Sequence, residues 1–366
     1  MSTPIRVGIV GAGYISAAYL KAAKNFPELA MVSCADALQA NAEKRGEEFG
    51  LKVQSVDELL QDEKVDLILN LTTPQNHVQV SSQGLEAGKH VYSEKPLALN
   101  REGAEALSET ARRRNVRLGC APDTFLGGGQ QTARKLIDDG AIGKPLGGTA
   151  FVLTPGPESW HPSPEFYYQT GGGPVFDMGP YYITALINLL GPVTRVTSIA
   201  RRSFAQRVFG AGPRKGEKFP VEIPTHFNAL VEFEQGAIIS FHASFDVQGH
   251  SHLPMEIYGT DGSLQIPDPN FFGGPVRLLE KGGRWVDMPL THGFGDGNYR
   301  ILGVADMASA IRANRPHRAS DQMALHTVEV MEAIVSGGES GVPVPVHSHC
   351  ERPRALQPLP RFGLLD

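Results

Sequence analysis

Residues 8–16 read GIVGAGYIS, an apolar run that breaks into two glycines and then opens into the helical pattern SAAYLKAA. Strand, glycine turn and helix in that order begin a parallel α/β crossover, and this is where such sheets bind the pyrophosphate of a dinucleotide. Gly11 supplies the tight turn, Gly13 lets a phosphate approach the backbone, and the amino end of the following helix presents unpaired N–H groups and a positive dipole. Tyr14 and Ile15 belong to the same turn. The third position of the pattern holds Ser16, small enough to keep the helix close to its strand. Asp36 ends the next apolar run, AMVSCAD, about 20 residues beyond the turn, where a carboxylate accepts from the adenosine ribose hydroxyls and repels a 2'-phosphate. It could instead only begin the helix ALQANAEKR. Lys44 and Arg45 could serve NADP, but they lie about two helical turns further on, so the expected cofactor is NAD, with NADP less favoured.

Outward from this turn the first 120 residues alternate β-branched runs (IRVGIVG, AMVSCAD, VDLILNL, KHVYSE, VRLGC) with helical segments such as REGAEALSETARRR. That alternation predicts βαβ units and a parallel sheet covered on both faces. After GCAPDTFLGGG the character changes. QQTARKLIDDGAIG reads as a helix, then HFNALVEFEQGAIISFHASFDV and MEIYGTDGSLQI read as alternating strands with hairpin turns at EQG and TDG. The pattern predicts a second domain on an antiparallel sheet with helices on one face. DMASAIRANR and DQMALHTVEVMEAIVSG are helical, and a proline-rich tail from 343 onward is left without secondary structure.

The chain has 366 residues, beyond the size of one ordinary core, and two domains are expected. A net charge of -5 with both signs interspersed offers no field for nucleic acid or an anionic membrane, so neither is expected as a partner. No stretch has the length of a membrane span, and the N-terminus enters a strand too soon for a signal peptide, which predicts a cytoplasmic protein. Cys34, Cys120 and Cys350 are odd in number and scattered, as expected of reduced thiols. HSH at 250–252 and HSHC at 347–350 lack the paired spacing of a zinc site, and no metal is expected.

LEAGKHVYSEKPLAL at 85–99, taken with the glycine turn, TTPQNHV at 72–78 and the GTDG turn, resembles the Gfo/Idh/MocA family of NAD(P)-dependent oxidoreductases, which act mainly on sugars, sugar derivatives and inositols. The likeness runs from about residue 4 to 340. It implies an α/β plus α+β fold: an N-terminal Rossmann dinucleotide-binding domain over 1–122, a C-terminal substrate-binding and oligomerisation domain over 123–345 with a large, mostly antiparallel open sheet, and a tail over 346–366. It implies a homodimer or homotetramer and a carbohydrate substrate. Thr73, Pro74, His77, Glu94 and Lys95 fall on the cofactor side, although His77 could only start a helix. In the EKP triplet, Glu94–Lys95–Pro96, the family's lysine is catalytic. At the carboxyl end of a parallel strand an ammonium can hold the reacting oxygen and stabilise alkoxide character.

GGGPVFDMGPYY at 171–182 matches a second family element, GGG…DxG, that contributes further site residues. Many members have histidine four residues after the aspartate and an acid three further on; here those places hold Tyr181 and Thr184. Some members use tyrosine as the acid/base. Helical spacing puts Asp177, Tyr181 and Thr184 on one face and turns Tyr182 away, which selects Tyr181. A phenol with an ordinary pKa near 10 needs roughly 4 kcal/mol to become a base at neutrality. An ammonium about 4 Å away in an effective dielectric near 20 supplies about that much. Lys95 beside Tyr181 is therefore expected to suffice, with Asp177 as a third catalytic or substrate-contacting group. Trp160 and His161 either meet the sugar or pack a loop, and Asp123 and Thr124, at the domain seam, face the same choice. The expected activity is sugar or polyol dehydrogenation, with a redox-assisted glycosidase, an inositol dehydrogenase or a non-catalytic NAD sensor as alternatives.

Overall fold

In the computed structural model, which describes residues 3–358 and residue 365, six strands form a parallel sheet. They are β1 (Ile5–Val10), β2 (Leu29–Ala35), β3 (Lys52–Val53), β4 (Leu67–Asn70), β5 (His90–Ser93) and β6 (Leu118–Cys120), in the order β3-β2-β1-β4-β5-β6. Val7, Ile9, Leu67, Ile68, Leu69 and Val91 are fully buried because helices cover both faces. Those helices are α1 (Ser16–Ala23), α2 (Gln39–Phe49), α3 (Val56–Gln61), α4 (His77–Glu86) and α5 (Arg101–Arg114). The strand order reverses between β1 and β4, so their carboxyl ends diverge and leave a crevice there.

The second sheet has nine strands. The chain enters it through α6 (Gly128–Asp138) and β7 (Pro145–Leu153), then passes through α7 (Gly173–Asp177) and α8 (Gly179–Leu190) to β8 (Val193–Arg201). A separate ribbon, β9 (Gln206–Val208) with β10 (Lys218–Pro220), precedes β11 (His226–Phe233), β12 (Ile238–Ser244), β13 (Met255–Gly259), β14 (Gly262–Ile266), β15 (Val276–Glu280) and β16 (Val286–Met288). After α9 (Leu302–Ala313) and α10 (Asp321–Ser340), the short β17 (Val344–Pro345) completes the order β16-β15-β14-β13-β7-β12-β11-β8-β17. The EQG and TDG turns join β11 to β12 and β13 to β14, as the alternation predicts. Neighbours are antiparallel except β7 and β12, so the sheet is mixed. The α8 and α10 helices cover one face, while Ile199, Leu230 and Ile238 stand exposed on the other.

The last two helices return to the first sheet. The α9 helix packs on β6 and α10 on α5, and the Cys120 N–H donates to the Ala319 carbonyl at 3.1 Å. The expected 123–345 segment thus also closes the edge of the Rossmann sheet. The proline-rich stretch is more ordered than its composition suggests. β17 pairs with β8, Arg318 donates to the Arg354 carbonyl at 2.7 Å, and the Leu356 N–H donates to Gln131 at 2.9 Å. The expected tail therefore lies against the body as far as Leu356; its residues 359–364 and 366 fall outside the described residues. Cys34, Cys120 and Cys350 are buried free thiols. Among the described residues, no helix is long and apolar enough to cross a membrane, and no cluster of side chains could hold a metal ion.

Asp306, fully buried in α9, accepts from the Arg315 guanidinium at 2.9 Å and from the Arg318 N–H at 2.7 Å, which fastens the returning helices. Removing one partner of such a buried pair strands the other charge. Asp306→Ala is expected to lower unfolding stability by about 3–5 kcal/mol in chemical denaturation; a loss under about 1 kcal/mol would show that the pair does not hold the junction.

Candidate active site

The cleft at the switch point has a volume of about 1300 Å³, more than the roughly 300–1,000 Å³ of an ordinary small-ligand pocket. One end is the glycine turn. Gly11 has φ +98°, and a Cβ there would sit 2.5 Å from the Leu71 carbonyl carbon, so no other residue fits. A Cβ at Gly13 would meet nothing within 4 Å, because that position faces the cleft. Ser16 is buried and closes the turn by donating to the Gly13 carbonyl at 2.6 Å. Asp36 accepts from the Ala12 N–H at 2.7 Å and the Leu38 N–H at 2.8 Å. It thus braces the glycine turn as well as lining the cleft, with acceptor capacity left over. These features fit a dinucleotide: backbone opening at Gly13, a helix amino end at Ser16 and a carboxylate for the ribose.

Arg45 is nearer the turn than its sequence distance suggests, donating to Ser16 Oγ at 2.9 Å, but it approaches from the helix side, pairs with Glu48 and does not line the cleft. Tyr14, 94% exposed, and Ile15 form the rim, with Thr73 and Pro74 opposite. His77 begins α4 and lines the cleft, its buried ring held between two backbone carbonyls. Nδ1 lies 2.7 Å from the Pro96 carbonyl and Nε2 3.0 Å from the Thr72 carbonyl. It braces the cofactor wall through those two carbonyls, and only its position on the wall agrees with the expectation. Glu94 accepts from the Tyr19 hydroxyl at 2.7 Å and from the Lys95 N–H at 2.8 Å.

At the other end Lys95 Nζ donates to the Asp177 carbonyl at 2.6 Å and to Asp177 Oδ1 at 3.1 Å, and lies 5.1 Å from the centre of the Tyr181 ring. Burial works to lower the Lys95 pKa, but the Asp177 carboxylate, with Tyr181 and Glu94 behind it, outweighs that and holds the pKa above the ordinary lysine value. The amine stays an ammonium at any physiological pH. Tyr182 is buried against the Phe241 ring, as its helical phase predicts. The geometry behind that phase differs, however. Asp177 ends α7, and α8 starts after a break at Met178, so Asp177 and Tyr181 do not share one helix. Thr184 points at Thr327 in α10 and is not in the cleft.

Two expected substrate contacts are corrected. Asp123 is buried, and its Oδ2 accepts the N–H groups of Ile301 and Gly303, each at 2.9 Å; it cannot face a sugar. Burial pushes its carboxyl up to about 6 against those two hydrogen bonds and the field of Arg300. Thr124 is likewise buried. His161 is not a cleft residue. Its ring centre lies 5.4 Å from those of Trp160, Phe166 and Tyr167, propping an aromatic wall from behind. Trp160, 64% exposed, does line the cleft with Phe166 and Tyr167. Burial pushes the Tyr167 phenol up to about 12, so it is a donor rather than a base. Sequence reasoning missed Arg300, which lines the cleft with Tyr181 and donates to Asn270 Oδ1 at 3.0 Å. No motif surrounds it in DGNYRIL, and only the fold brings it to residue 181.

Comparison with known proteins agrees with this geometry. The model of the Gfo/Idh/MocA oxidoreductase family with its NAD-binding Rossmann fold matches residues 5–121, and that of the family's C-terminal domain matches 130–265. A levoglucosan dehydrogenase of Pseudarthrobacter phenanthrenivorans is 24% identical over 71% of this chain and 73% of its own length. A scyllo-inositol 2-dehydrogenase (NAD(+)) of Bacillus subtilis is 27% identical over 73% of this chain and 75% of its own. The same fold occurs in a crystal structure of levoglucosan dehydrogenase with NADH and L-sorbose, with a TM-score of 0.81 at 21% identity over 95% of this chain and 100% of that one.

The two glycines of the turn should respond differently to a methyl group. Gly11→Ala forces the Leu71 backbone to move and is expected to cost at least about 2 kcal/mol of stability. Gly13→Ala is expected to fold normally and bind NADH at least about tenfold more weakly, a change of about 1.4 kcal/mol. Unchanged NADH affinity in a folded Gly13→Ala protein, measured by fluorescence titration, would remove the glycine turn from the binding site.

Proposed function

This chain belongs to the Gfo/Idh/MocA family of oxidoreductases, and from that we propose that it transfers a hydride between NAD and an oxygen-bearing carbon of a sugar, sugar derivative or polyol. The observation that carries the reading is the meeting of Lys95, Asp177 and Tyr181 in the wall of the same cleft that the glycine turn opens. Bound NAD supplies the hydride acceptor or donor. Lys95 keeps one N–H beyond those given to Asp177 and directs it at the substrate oxygen, favouring alkoxide character there. Asp177 holds that ammonium charged and aimed. Tyr181 takes the alcohol proton, or returns it in the reverse direction. Trp160, Phe166 and Tyr167 offer apolar ring faces to the C–H side of a polyol, while Lys95 and Arg300 face its hydroxyls.

NAD is favoured over NADP because Asp36 lines the ribose end and the nearby guanidinium of Arg45 is turned toward Glu48 outside the cleft. The exposed sheet face with Ile199, Leu230 and Ile238 supports self-association as a dimer or tetramer; a monomer in sedimentation velocity would contradict that.

A panel of aldoses, polyols, inositols and glycosides with NAD tests the reading. Accumulation of NADH with a free sugar or polyol is expected, whereas glycoside cleavage with no net NADH would mark a redox-assisted hydrolase. With the substrate so found, Tyr181→Phe and Lys95→Met are each expected to lose at least about 100-fold in kcat while binding NADH within about twofold of wild type. If Tyr181→Phe keeps its turnover within about tenfold, the proton goes elsewhere.

A further inference from the structure

Lys95 and Arg300 are the two cationic side chains that line the cleft, and their surroundings differ. The Lys95 ammonium is paired with Asp177 at 3.1 Å. Arg300 donates from Nη2 to Asn270 Oδ1 at 3.0 Å and from Nη1 to Asn298 Oδ1 at 3.4 Å, and among the described residues no carboxylate forms an ion pair with it. The carboxylates around Lys95 are committed elsewhere. Glu94 accepts from the Tyr19 hydroxyl and the Lys95 N–H, and Asp177 holds the ammonium. A part-buried guanidinium without a countercharge carries a desolvation cost that amide oxygens offset only in part. Two of its five N–H groups go to the asparagines, which leaves three for other acceptors, and two suffice for the parallel bonds of a carboxylate.

The placement of this side chain is built into the backbone. Asn298 Oδ1 also accepts the Arg300 N–H at 3.1 Å, so one amide oxygen holds both the main chain and the guanidinium. The next residue, Ile301, takes φ +122°, a conformation that β-branched residues avoid. The buried Asp123 sustains it by accepting the N–H groups of Ile301 and Gly303, each at 2.9 Å. Strain of this kind collects where the side chain it delivers has a use.

We propose that the substrate is a sugar acid and that Arg300 is the residue that binds its carboxylate. The inference rests on the reading of this cleft as the site of hydride transfer to or from a sugar. A carboxylate fits better than a phosphate ester because one uncommitted cation balances one negative charge, whereas a phosphate ester near neutrality carries close to two. The carboxylate anchors the sugar and is not itself changed. In the oxidative direction the carbon bearing the reacting hydroxyl gives its hydride to NAD, the hydroxyl proton passes to the protein, and a carbonyl remains. A neutral sugar of the same shape covers the guanidinium without pairing it, and that unpaired charge is the discrimination against it.

The test measures NADH formation from NAD on pairs that differ only in the charged group: D-gluconate against D-glucitol, D-glucuronate against D-glucose and D-galacturonate against D-galactose, with D-glucose 6-phosphate as the phosphate arm. In the pair that is turned over, the acid is expected to exceed its neutral partner at least about 100-fold in kcat/KM. Arg300→Met is expected to shrink that ratio at least about 30-fold, chiefly through the KM of the acid, with Arg300→Lys between it and wild type. NADH affinity, by fluorescence titration, is expected to stay within about twofold of wild type in both variants. Equal kcat/KM for an acid and its neutral partner, or a ratio that Arg300→Met leaves unchanged, overturns the inference and leaves hydride transfer to sugars standing. A preference for the phosphate ester does the same, as does a loss of NADH affinity in Arg300→Met, which assigns the guanidinium to the cofactor phosphates. If no member of any pair yields NADH, the hydride-transfer reading fails and the inference with it.

Discussion

The pair between Lys95 and Asp177 joins the two halves of this molecule, and the rest of the site is arranged around it. Lys95 follows strand β5, whose next N–H, from Glu94, donates to the Asn70 carbonyl at 2.8 Å and so fixes the lysine to the switch point. Asp177 arrives 82 residues later on a five-residue helix. The glycine run before it takes positive φ at Gly171 and Gly173, which lets the chain fold back sharply enough to place the carboxylate. Both side chains are mostly buried, at 16% and 22% exposure, so neither charge is tolerable without the other.

That pairing decides the electrostatics of the cleft. The ammonium stays charged because the Asp177 carboxylate, with Tyr181 and Glu94, outweighs its burial. Arg300 is a second cation in the cleft wall, held by Asn270 Oδ1 at 3.0 Å and Asn298 Oδ1 at 3.4 Å. Asp123 accepts the N–H groups of Ile301 and Gly303 and so maintains the backbone that carries Arg300.

The fold was legible where local rules act alone. GIVGAGYIS, the β-branched runs and the EQG and TDG turns each specify their conformation over a few residues, and the parallel and mostly antiparallel sheets follow from them. That Tyr181 rather than Tyr182 lines the cleft was also legible, because a helix sends neighbouring residues in different directions even though Asp177 proved to lie on a separate turn. Long-range placement was not. Asp123 reads as a polar residue at a domain seam, and nothing local tells that two N–H groups about 180 residues away will take up its carboxylate. His161 and His77 read as loop and helix-start polar groups and became structural braces for the same reason. The order of residues 346–358 depends on partners in α6 and around residue 318 that proline content cannot reveal.

The central claim is that the ammonium of one domain and the phenol of the other converge on a single substrate oxygen. A crystal structure of the ternary complex with NADH and the sugar or polyol that the panel identifies measures this directly. The account predicts one substrate oxygen within about 3 Å of both Lys95 Nζ and Tyr181 Oη, on the carbon facing the nicotinamide. A substrate whose reacting oxygen meets only one of them, or lies against the aromatic wall away from both, would contradict it.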